Sequence, residues 1–167
     1  PVRPYCYLLG LYLGEGYINR SARVWRLRVT LDSRYPQIIA DCCRAMEDLM
    51  IGQHAYTLAR GGCVDVSMYS KRWPSLFPQL GPGRKHERDI RLETWQQTLV
   101  NRDTEGFIRG LIHSDGCRVV ANDRGVRSVR YHFSNRSDDI IGLYCAALDT
   151  LGIPWTRPSA HDVAVYR

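Results

Sequence analysis

The sequence predicts an α+β fold made of two similar halves. Three observations predict it: a short motif occurs twice, a repeat extends well beyond the motif, and helix-like and strand-like patterns alternate along each half. The chain has 167 residues, enough for one core or for two small halves that share one. We assign residues 1–85 to the first repeat and residues 86–167 to the second. The sequence leaves open whether the second repeat is truncated at its C-terminus.

The duplicated motif is an apolar helix, rich in small residues, that ends in an acid followed by glycine. The first copy reads LLGLYLGEG at residues 8–16, and the second reads IRGLIHSDG at residues 108–116. Their acids, Glu15 and Asp115, lie at the C-terminal end of the helix, where the helix dipole is negative. A carboxylate in this position destabilises the helix by about 0.3–1 kcal/mol. Two acids in this unfavourable position indicate that a cation compensates them, and a divalent metal ion is the natural candidate.

The repeat continues past the motif. Aligning Arg28 with Arg130, a shift of 102 positions, keeps apolar residues in register through the next strand and helix. The two motifs are 100 positions apart, so the second copy has two extra residues in the hairpin after the motif. Further along, the Asp-Val pair at 65–66 matches the pair at 162–163. A register kept across several elements indicates duplication.

Hydrophobic periodicity predicts the elements of the first repeat in order. They are a motif helix at 5–15, a hairpin at 17–18 and 24–31, a helix from 36 to about 50, a second hairpin at 53–59 and 63–69, and a short helix near 71–80. Gly61 and Gly62 predict the turn of the second hairpin. Residues 81–86, which contain glycine, proline and basic residues, form the linker.

The second repeat follows the same order. We predict a leading helix at 92–100, a motif helix at 106–115, a hairpin at 119–120 and 126–133, a helix at 138–151 and a second hairpin at 154–167. The sequence ends at the counterpart of Ser70, before any equivalent of the short helix that closes the first repeat.

Small residues on the motif helices predict close packing between them. Gly10 and Gly14 lie four positions apart and therefore on one helix face, as do Gly110 and Ser114. Residues of this size let two helix backbones approach closely. We therefore expect the two motif helices to pack against each other through these four residues.

The two motif copies resemble the motif after which the LAGLIDADG homing endonucleases, or meganucleases, are named. Glu15 and Asp115 occupy the position of the family's metal-binding acid, and the first copy departs from the consensus by having Glu for Asp. Leu13 and His113 replace the first acid of the name, a position that varies in the family. The resemblance implies an αββαββα unit present twice, with two antiparallel β-sheet saddles around a central, pseudo-symmetric pair of motif helices.

The resemblance also implies a metal site and a reaction. Glu15 and Asp115 would share divalent metal with help from the backbone carbonyls of Gly14 and Ser114. We expect Mg²⁺, with Mn²⁺ able to substitute and Ca²⁺ able to bind without supporting cleavage. Such a site supports hydrolysis of phosphodiester bonds, and two acids allow each strand of a duplex to be cut.

Basic residues near the acids are expected to stabilise the transition state. Lys85 follows the short helix, where relatives commonly carry such a lysine, and is our first candidate; the alternative is an exposed linker lysine. Arg34 and Arg136, which the repeat aligns at the junction of sheet and helix, are further catalytic candidates. Contact with the phosphate backbone is an equal alternative for both arginines.

The first hairpin of each repeat is the expected DNA-binding element. We expect its polar face to carry Arg26 and Arg28 in the first repeat and Arg127 and Arg130 in the second. In the strand at 24–31, apolar residues alternate with polar ones, and arginine on one face can pair with guanine in the major groove. The alternative is a solvated sheet face, on which Lys and Glu would be more usual than arginine. The candidate DNA-binding residues are Arg20, Arg23, Arg26, Arg28, Thr30, Arg118, Arg124, Arg127, Arg130 and His132.

Composition agrees with a nucleic-acid partner. The formal net charge is +6, and only two of the 23 basic residues are lysine. The six cysteines show no CxxC spacing, so we interpret them as small apolar residues in a reducing cytoplasm, where DNA is accessible. The sequence contains no apolar run that could span a membrane and no visible signal peptide.

We therefore expect a monomeric, two-repeat endonuclease that hydrolyses double-stranded DNA at a long, asymmetric site. Two alternatives use the same fold. One is a DNA-binding transcription regulator that has lost its nuclease, which the presence of both acids disfavours. The other is an RNA-intron maturase, which the sequence does not exclude.

Overall fold

The computed structural model describes residues 1–166. Its first repeat has the predicted order of helices and strands. The elements are α1 (Val2–Glu15), β1 (Gly16–Ser21), β2 (Val24–Asp32), α2 (Pro36–Leu49), β3 (Tyr56–Arg60), β4 (Cys63–Ser70) and α3 (Trp73–Leu76).

The second repeat has the same order and lacks a counterpart of α3 among the described residues. A 3₁₀ turn at Lys85–Glu87 lies in the linker. The elements that follow are α4 (Thr94–Arg102), α5 (Thr104–Asp115), β5 (Gly116–Asp123), β6 (Val126–Ser134), α6 (Asp138–Thr150), β7 (Thr156–Ser159) and β8 (Asp162–Tyr166). The last position of the predicted final hairpin, Arg167, lies outside the described residues.

Two element boundaries differ from the sequence prediction for clear reasons. The short helix predicted near 71–80 is a single turn, because Pro78 disfavours helical backbone at the residue before it. The second motif helix begins at Thr104, where the Asp103 carboxylate accepts a hydrogen bond from the Gly106 N–H at 3.3 Å and caps the helix. As predicted, the second repeat has two extra residues in its first hairpin, since β5 has eight residues and β1 has six.

Each repeat forms one four-stranded antiparallel sheet. The strand orders are β1-β2-β4-β3 and β5-β6-β8-β7, so the two sheets have the same topology. The α+β prediction with two antiparallel sheets is confirmed.

Strand pairing corrects the alignment of the last hairpins. Leu31 lies opposite Val64, and its counterpart Phe133 lies opposite Val163, so the two hairpins are related by a shift of 99 positions. Asp65 therefore corresponds to Ala164, and matching it with Asp162 was wrong by two residues. A two-residue turn closes each hairpin and fixes this register, whereas the sequence alignment followed an identical residue pair.

The two motif helices form the centre of the molecule. A Cβ atom on Gly10 would lie 2.7 Å from the backbone nitrogen of Leu111 and 2.8 Å from the Cα atom of Gly110, so only glycine permits this approach. The two motif helices therefore approach each other closely at Gly10 and Gly110. The core extends from these helices to the inner faces of both sheets and includes Leu8, Leu11, Leu27, Val29, Phe107, Leu111, Phe133 and Val163.

Within residues 1–166, every helix is too short or too polar to cross a membrane.

Candidate functional site

The acids that end the motif helices meet at one end of the helix pair. A Cβ atom on Gly14 would lie 2.9 Å from Oδ2 of Asp115, so the end of α1 touches the second acid directly. Glu15 is exposed and Asp115 is half-buried. The close packing of α1 and α5 thus places both predicted metal ligands at the junction of the repeats.

The glycine after each acid lets the chain pass directly from helix to strand. The Gly116 N–H caps α5 by donating to the Ile112 carbonyl, and its backbone is already extended at φ −100°. A Cβ atom there would lie 2.8 Å from the Cα atom of Ile112. The acid-glycine pair therefore holds each carboxylate at the point where its sheet begins.

The two carboxyl groups interact with each other. The pKa of Asp115 is raised to about 7, mainly by burial, then by the negative charge of Glu15, and to a smaller extent by a hydrogen bond between the two carboxyl groups. The amide of Asn135 and the charge of Lys85 act in the opposite direction. A pair of acids held this close without metal is an unfavourable arrangement that a divalent cation would relieve.

Lys85 sits beside the acids and caps α1. Its Nζ atom donates to the carbonyl oxygens of Tyr12, Gly14 and Gly16 at 2.5, 3.0 and 2.6 Å. Burial lowers the pKa of Lys85 to about 8, and the charges of Asp115 and Glu15 oppose that shift. The ammonium group is thus one cation that compensates the unfavourable acid at the end of α1.

Two cavities flank the acids, and Glu15 borders both of them. The first, of about 550 Å³, also contains Asp115, Lys85 and Arg136. The second, of about 820 Å³, contains Arg34. The structure therefore brings all five predicted catalytic residues to the edges of these two cavities.

Two of the predicted arginines line the second cavity, Arg34 and Arg118. Arg34 makes an ion pair with Asp32 at 2.6 Å, and hydrogen bonds from Arg34 lower the pKa of that carboxyl. Arg118, which we predicted as a DNA-binding residue, lines the second cavity. It therefore lies beside the acid site as well as in the first hairpin of its repeat.

Sequence reasoning missed Asn135. Its Nδ2 atom donates to Oδ2 of Asp115 at 2.6 Å, while its Oδ1 atom accepts from the Ser137 N–H at 2.8 Å. A third hydrogen bond, from the Asn135 N–H to the His161 carbonyl at 3.0 Å, fixes the backbone. The sequence carries no signal for this contact, because Asn135 lies in a loop and its repeat counterpart is a different residue, Ser33.

The oxygen ligands available at this site suit a divalent ion that also binds the substrate. Over the described range, no three His, Cys, Asp or Glu side chains are grouped to hold a metal. Two carboxylates and the Gly14 and Ser114 carbonyls are available, although Gly14 now accepts from Lys85. Mg²⁺ commonly binds through one or two carboxylates together with substrate phosphates and water, so these residues suit such an ion.

The first sheet has a polar face, as predicted. Strand alternation places Arg26, Arg28 and Thr30 on the side opposite the buried Leu27 and Val29. Strand pairing adds further residues to this surface, which we call the first polar face, and they include Tyr17, Asn19, Tyr56, Arg60, Asp65, Ser67 and Tyr69.

The equivalent face of the second sheet is less basic than predicted. Arg130 and His132 lie on it, and the Arg130 guanidinium stacks over the Tyr166 ring at 5.1 Å. Arg127 lies on the opposite face, because residues three apart on a strand point to opposite sides. The prediction that Arg127 and Arg130 share one polar face was wrong.

The remaining DNA-binding candidates lie near the hairpin turns. Arg20 pairs across the strands with Trp25 and so lies on the face opposite Arg26. Arg23 and Arg124 lie in the two turns, where both are exposed. Their contact with DNA stays a prediction.

Solved structures share this architecture. I-DmoI in complex with DNA and Mn matches with a TM-score of 0.60 and 16% identity, over 99% of this chain and 89% of that chain. I-DmoI in complex with DNA and Ca matches with a TM-score of 0.60 and 18% identity, over 99% and 82%. The I-SmaMI LAGLIDADG homing endonuclease bound to cleaved DNA matches with a TM-score of 0.55 and 9% identity, over 98% and 77%.

No protein-family model matches the chain, and no curated protein matches it in sequence. Identities this low establish the fold alone. The two motif helices, the two sheets of like topology and the full-length structural matches agree. The chain therefore has the two-repeat fold of the LAGLIDADG homing endonucleases.

Proposed function

We propose that this protein is a divalent-metal-dependent endonuclease that cuts both strands of a long, asymmetric duplex DNA target. The observation that carries the proposal is the meeting of Glu15 and Asp115 at the end of the paired motif helices, between two sheets whose outer faces carry arginine. The matched structures support it, since I-DmoI is in complex with DNA and Mn and I-SmaMI is bound to cleaved DNA.

Glu15 and Asp115 would hold the metal together with the carbonyls of Gly14 and Ser114. We propose Mg²⁺ as the natural ion, with Mn²⁺ able to replace it and Ca²⁺ able to support binding only. When bound, the ion supplies an activated water molecule and stabilises the charge that develops on the phosphate. The hydrogen bond from Asn135 orients the Asp115 carboxylate before any ion arrives.

Basic side chains around the acids would stabilise the negative charge of the transition state. Lys85 is the leading candidate, because it lines the cavity that both acids border. Arg136 borders the same cavity, and Arg34 borders the second one. Each strand of the duplex would thus meet at least one arginine near its scissile phosphate.

DNA would lie across the outer faces of the two sheets. Arginine side chains on these faces can contact both phosphates and the major-groove edges of bases. Because both motif helices belong to one chain and pack directly against each other, we propose that the protein acts as a monomer.

We also propose that the protein acts in the cytoplasm or another reducing compartment that contains DNA. Three of its cysteines, Cys6, Cys42 and Cys145, are buried free thiols that serve as small apolar residues. This use of cysteine supports a reducing environment.

A cleavage selection tests the proposal. The protein is incubated with a randomised duplex library and Mg²⁺, and new ends are captured and sequenced. An endonuclease yields ends that share one long sequence with both strands cut. A transcription regulator binds a sequence without metal and cuts nothing, and a maturase requires its intron RNA. Either of those results would overturn the proposal.

A further inference from the structure

A buried carboxylate lies beneath two arginines on the first polar face. The Asp65 side chain is 3% exposed, while those of Arg28 and Arg60 are 37% and 60% exposed. Oδ2 of Asp65 lies 3.0 Å from Nε of Arg60 and 4.0 Å from Nη1 of Arg28. The Thr30 hydroxyl donates to Oδ1 at 2.7 Å. The acid is therefore below the surface, and the charged ends of the arginines are above it.

The second sheet has an uncharged residue at the position of Asp65. Thr30 lies opposite Asp65, and its counterpart His132 lies opposite Ala164. Around Ala164 the equivalent face of the second sheet carries His132 and Arg130 and, on strand β5, the small or apolar side chains of Cys117, Val119 and Ala121. The two sheets thus offer chemically different surfaces to the two halves of a target.

A carboxylate placed under an arginine restricts the direction of the guanidinium group. Contact with a phosphate needs only positive charge, which a mobile arginine supplies. A guanine requires a fixed fork that meets O6 and N7 together, and a side chain held in place loses less entropy on binding. Because Arg60 approaches Asp65 through Nε, at 3.0 Å, its terminal N–H groups are left for a base.

The cluster lies next to the acid site. Thr30 and Cys63, which are opposite Asp65 and Arg60 in the sheet, both border the cavity that contains Glu15. Bases met by Arg28 and Arg60 would therefore lie near the cleavage position rather than at the outer end of the target.

We propose that Asp65 is a positioning residue that makes one half of the DNA target depend on guanine by orienting Arg28 and Arg60. In the second sheet the position equivalent to Asp65 is occupied by Ala164. This inference rests on the proposed function, because it assigns a specificity to the same DNA-binding surface. It names a residue that touches no base itself.

The proposed role of Asp65 is tested by selecting DNA sequences for binding under conditions without cleavage. A randomised duplex library is selected in Ca²⁺ with the unmodified protein, Asp65→Asn and Arg60→Gln. The unmodified protein should enrich guanine at one or two adjacent positions in one half of the site. Both variants should lose about tenfold in preference at those same positions and keep the preferences of the other half. The matched control is Asp162→Asn, since Asp162 is bonded to Ser134 and Ser159 on the second sheet.

The outcomes separate the two claims. If the unmodified protein selects a site but both variants keep its guanine preference, or if no guanine is selected in either half, the role of Asp65 is overturned and the endonuclease proposal stands. If the unmodified protein enriches no sequence, the proposed function itself fails. Should Asp65→Asn not fold, Arg60→Gln decides, because Arg60 is exposed on the edge strand β3.

Discussion

Asn135 donates a hydrogen bond to Asp115 at 2.6 Å, whereas its repeat counterpart, Ser33, donates to the carbonyl of Gly62 at 2.8 Å. The two acids of the site are therefore supported differently, although the repeats that carry them share one topology. An amide that orients a metal-binding carboxylate typically changes metal affinity or activity by about 10–100-fold when it is removed.

Replacement of Asn135 should therefore slow cleavage without weakening DNA binding. In Asn135→Ala, we expect the rate of DNA cleavage in Mg²⁺ to fall about tenfold or more, because the Asp115 carboxylate loses its fixed orientation. Ser33→Ala is the matched control, since the Ser33 side chain contacts Gly62 instead of an acid. Equal rates for the two variants would show that the Asn135 contact does not orient the site.

Lys85 should matter more for chemistry than for binding. Lys85→Met removes the positive charge beside the acids, and we expect a loss of about 100-fold or more in cleavage rate with DNA affinity nearly unchanged. Rates are compared at a temperature where circular dichroism shows the variant to be folded, because three backbone carbonyls lose their donor. Lys71→Met, at an exposed position, should cleave normally. A normal rate in Lys85→Met would remove this residue from the mechanism.

Glycines at the helix crossing should tolerate no side chain. Gly10→Ala places a methyl group 2.8 Å from the Cα atom of Gly110, so we expect a destabilisation of about 1–3 kcal/mol or more in chemical denaturation. Gly142 lies in α6, where a methyl group added to its Cα atom would meet nothing within 4 Å, and Gly142→Ala should stabilise the protein by about 0.5–1 kcal/mol. If both substitutions changed stability alike, close helix packing would not be the reason for Gly10.

Stability without metal should depend on pH through Asp115. The pKa of Asp115 in the folded protein is raised to about 7. Asp115 therefore stays protonated in the folded protein over a pH range in which it has already lost its proton in the unfolded chain. This contribution to stability is fully present below about pH 4 and is lost as the pH rises to about 7. In EDTA, the stability of Asp115→Asn relative to the unmodified protein should therefore increase as the pH rises from 4 to 7. Above pH 7 this difference should stay constant. A difference that does not change with pH would contradict the raised pKa.

Much of this fold was predictable because its signals are local. Helix and strand periodicity located the elements, and glycine spacing with the terminal acids located the crossing of α1 and α5. The contact of Asn135 with Asp115 depends on the path of a loop, which no periodic pattern encodes. The cap that Lys85 forms on α1 likewise depends on where the linker runs.

The errors on the second sheet have a similar origin. Arg127 and Arg130 were expected at alternate positions on one strand face, although they are three residues apart and therefore lie on opposite faces. Asp65 was aligned with Asp162 because the two residue pairs are identical. The register set by the hairpin turn instead makes Ala164 the counterpart of Asp65 in the second repeat. Strand alternation decides which side chains share a face, and turn geometry decides which residues lie opposite each other.

Cleavage of a supercoiled plasmid that carries a selected target tests the central claim most directly. The unmodified protein should linearise it in Mg²⁺ or Mn²⁺ and should bind it without cutting in Ca²⁺. Glu15→Gln and Asp115→Asn keep the shape of each acid and remove its charge, so each variant should bind the target and leave it intact or nicked in one strand. If the unmodified protein binds tightly yet leaves the plasmid supercoiled in both Mg²⁺ and Mn²⁺, or if the variants linearise it at the normal rate, the shared metal site between Glu15 and Asp115 is contradicted.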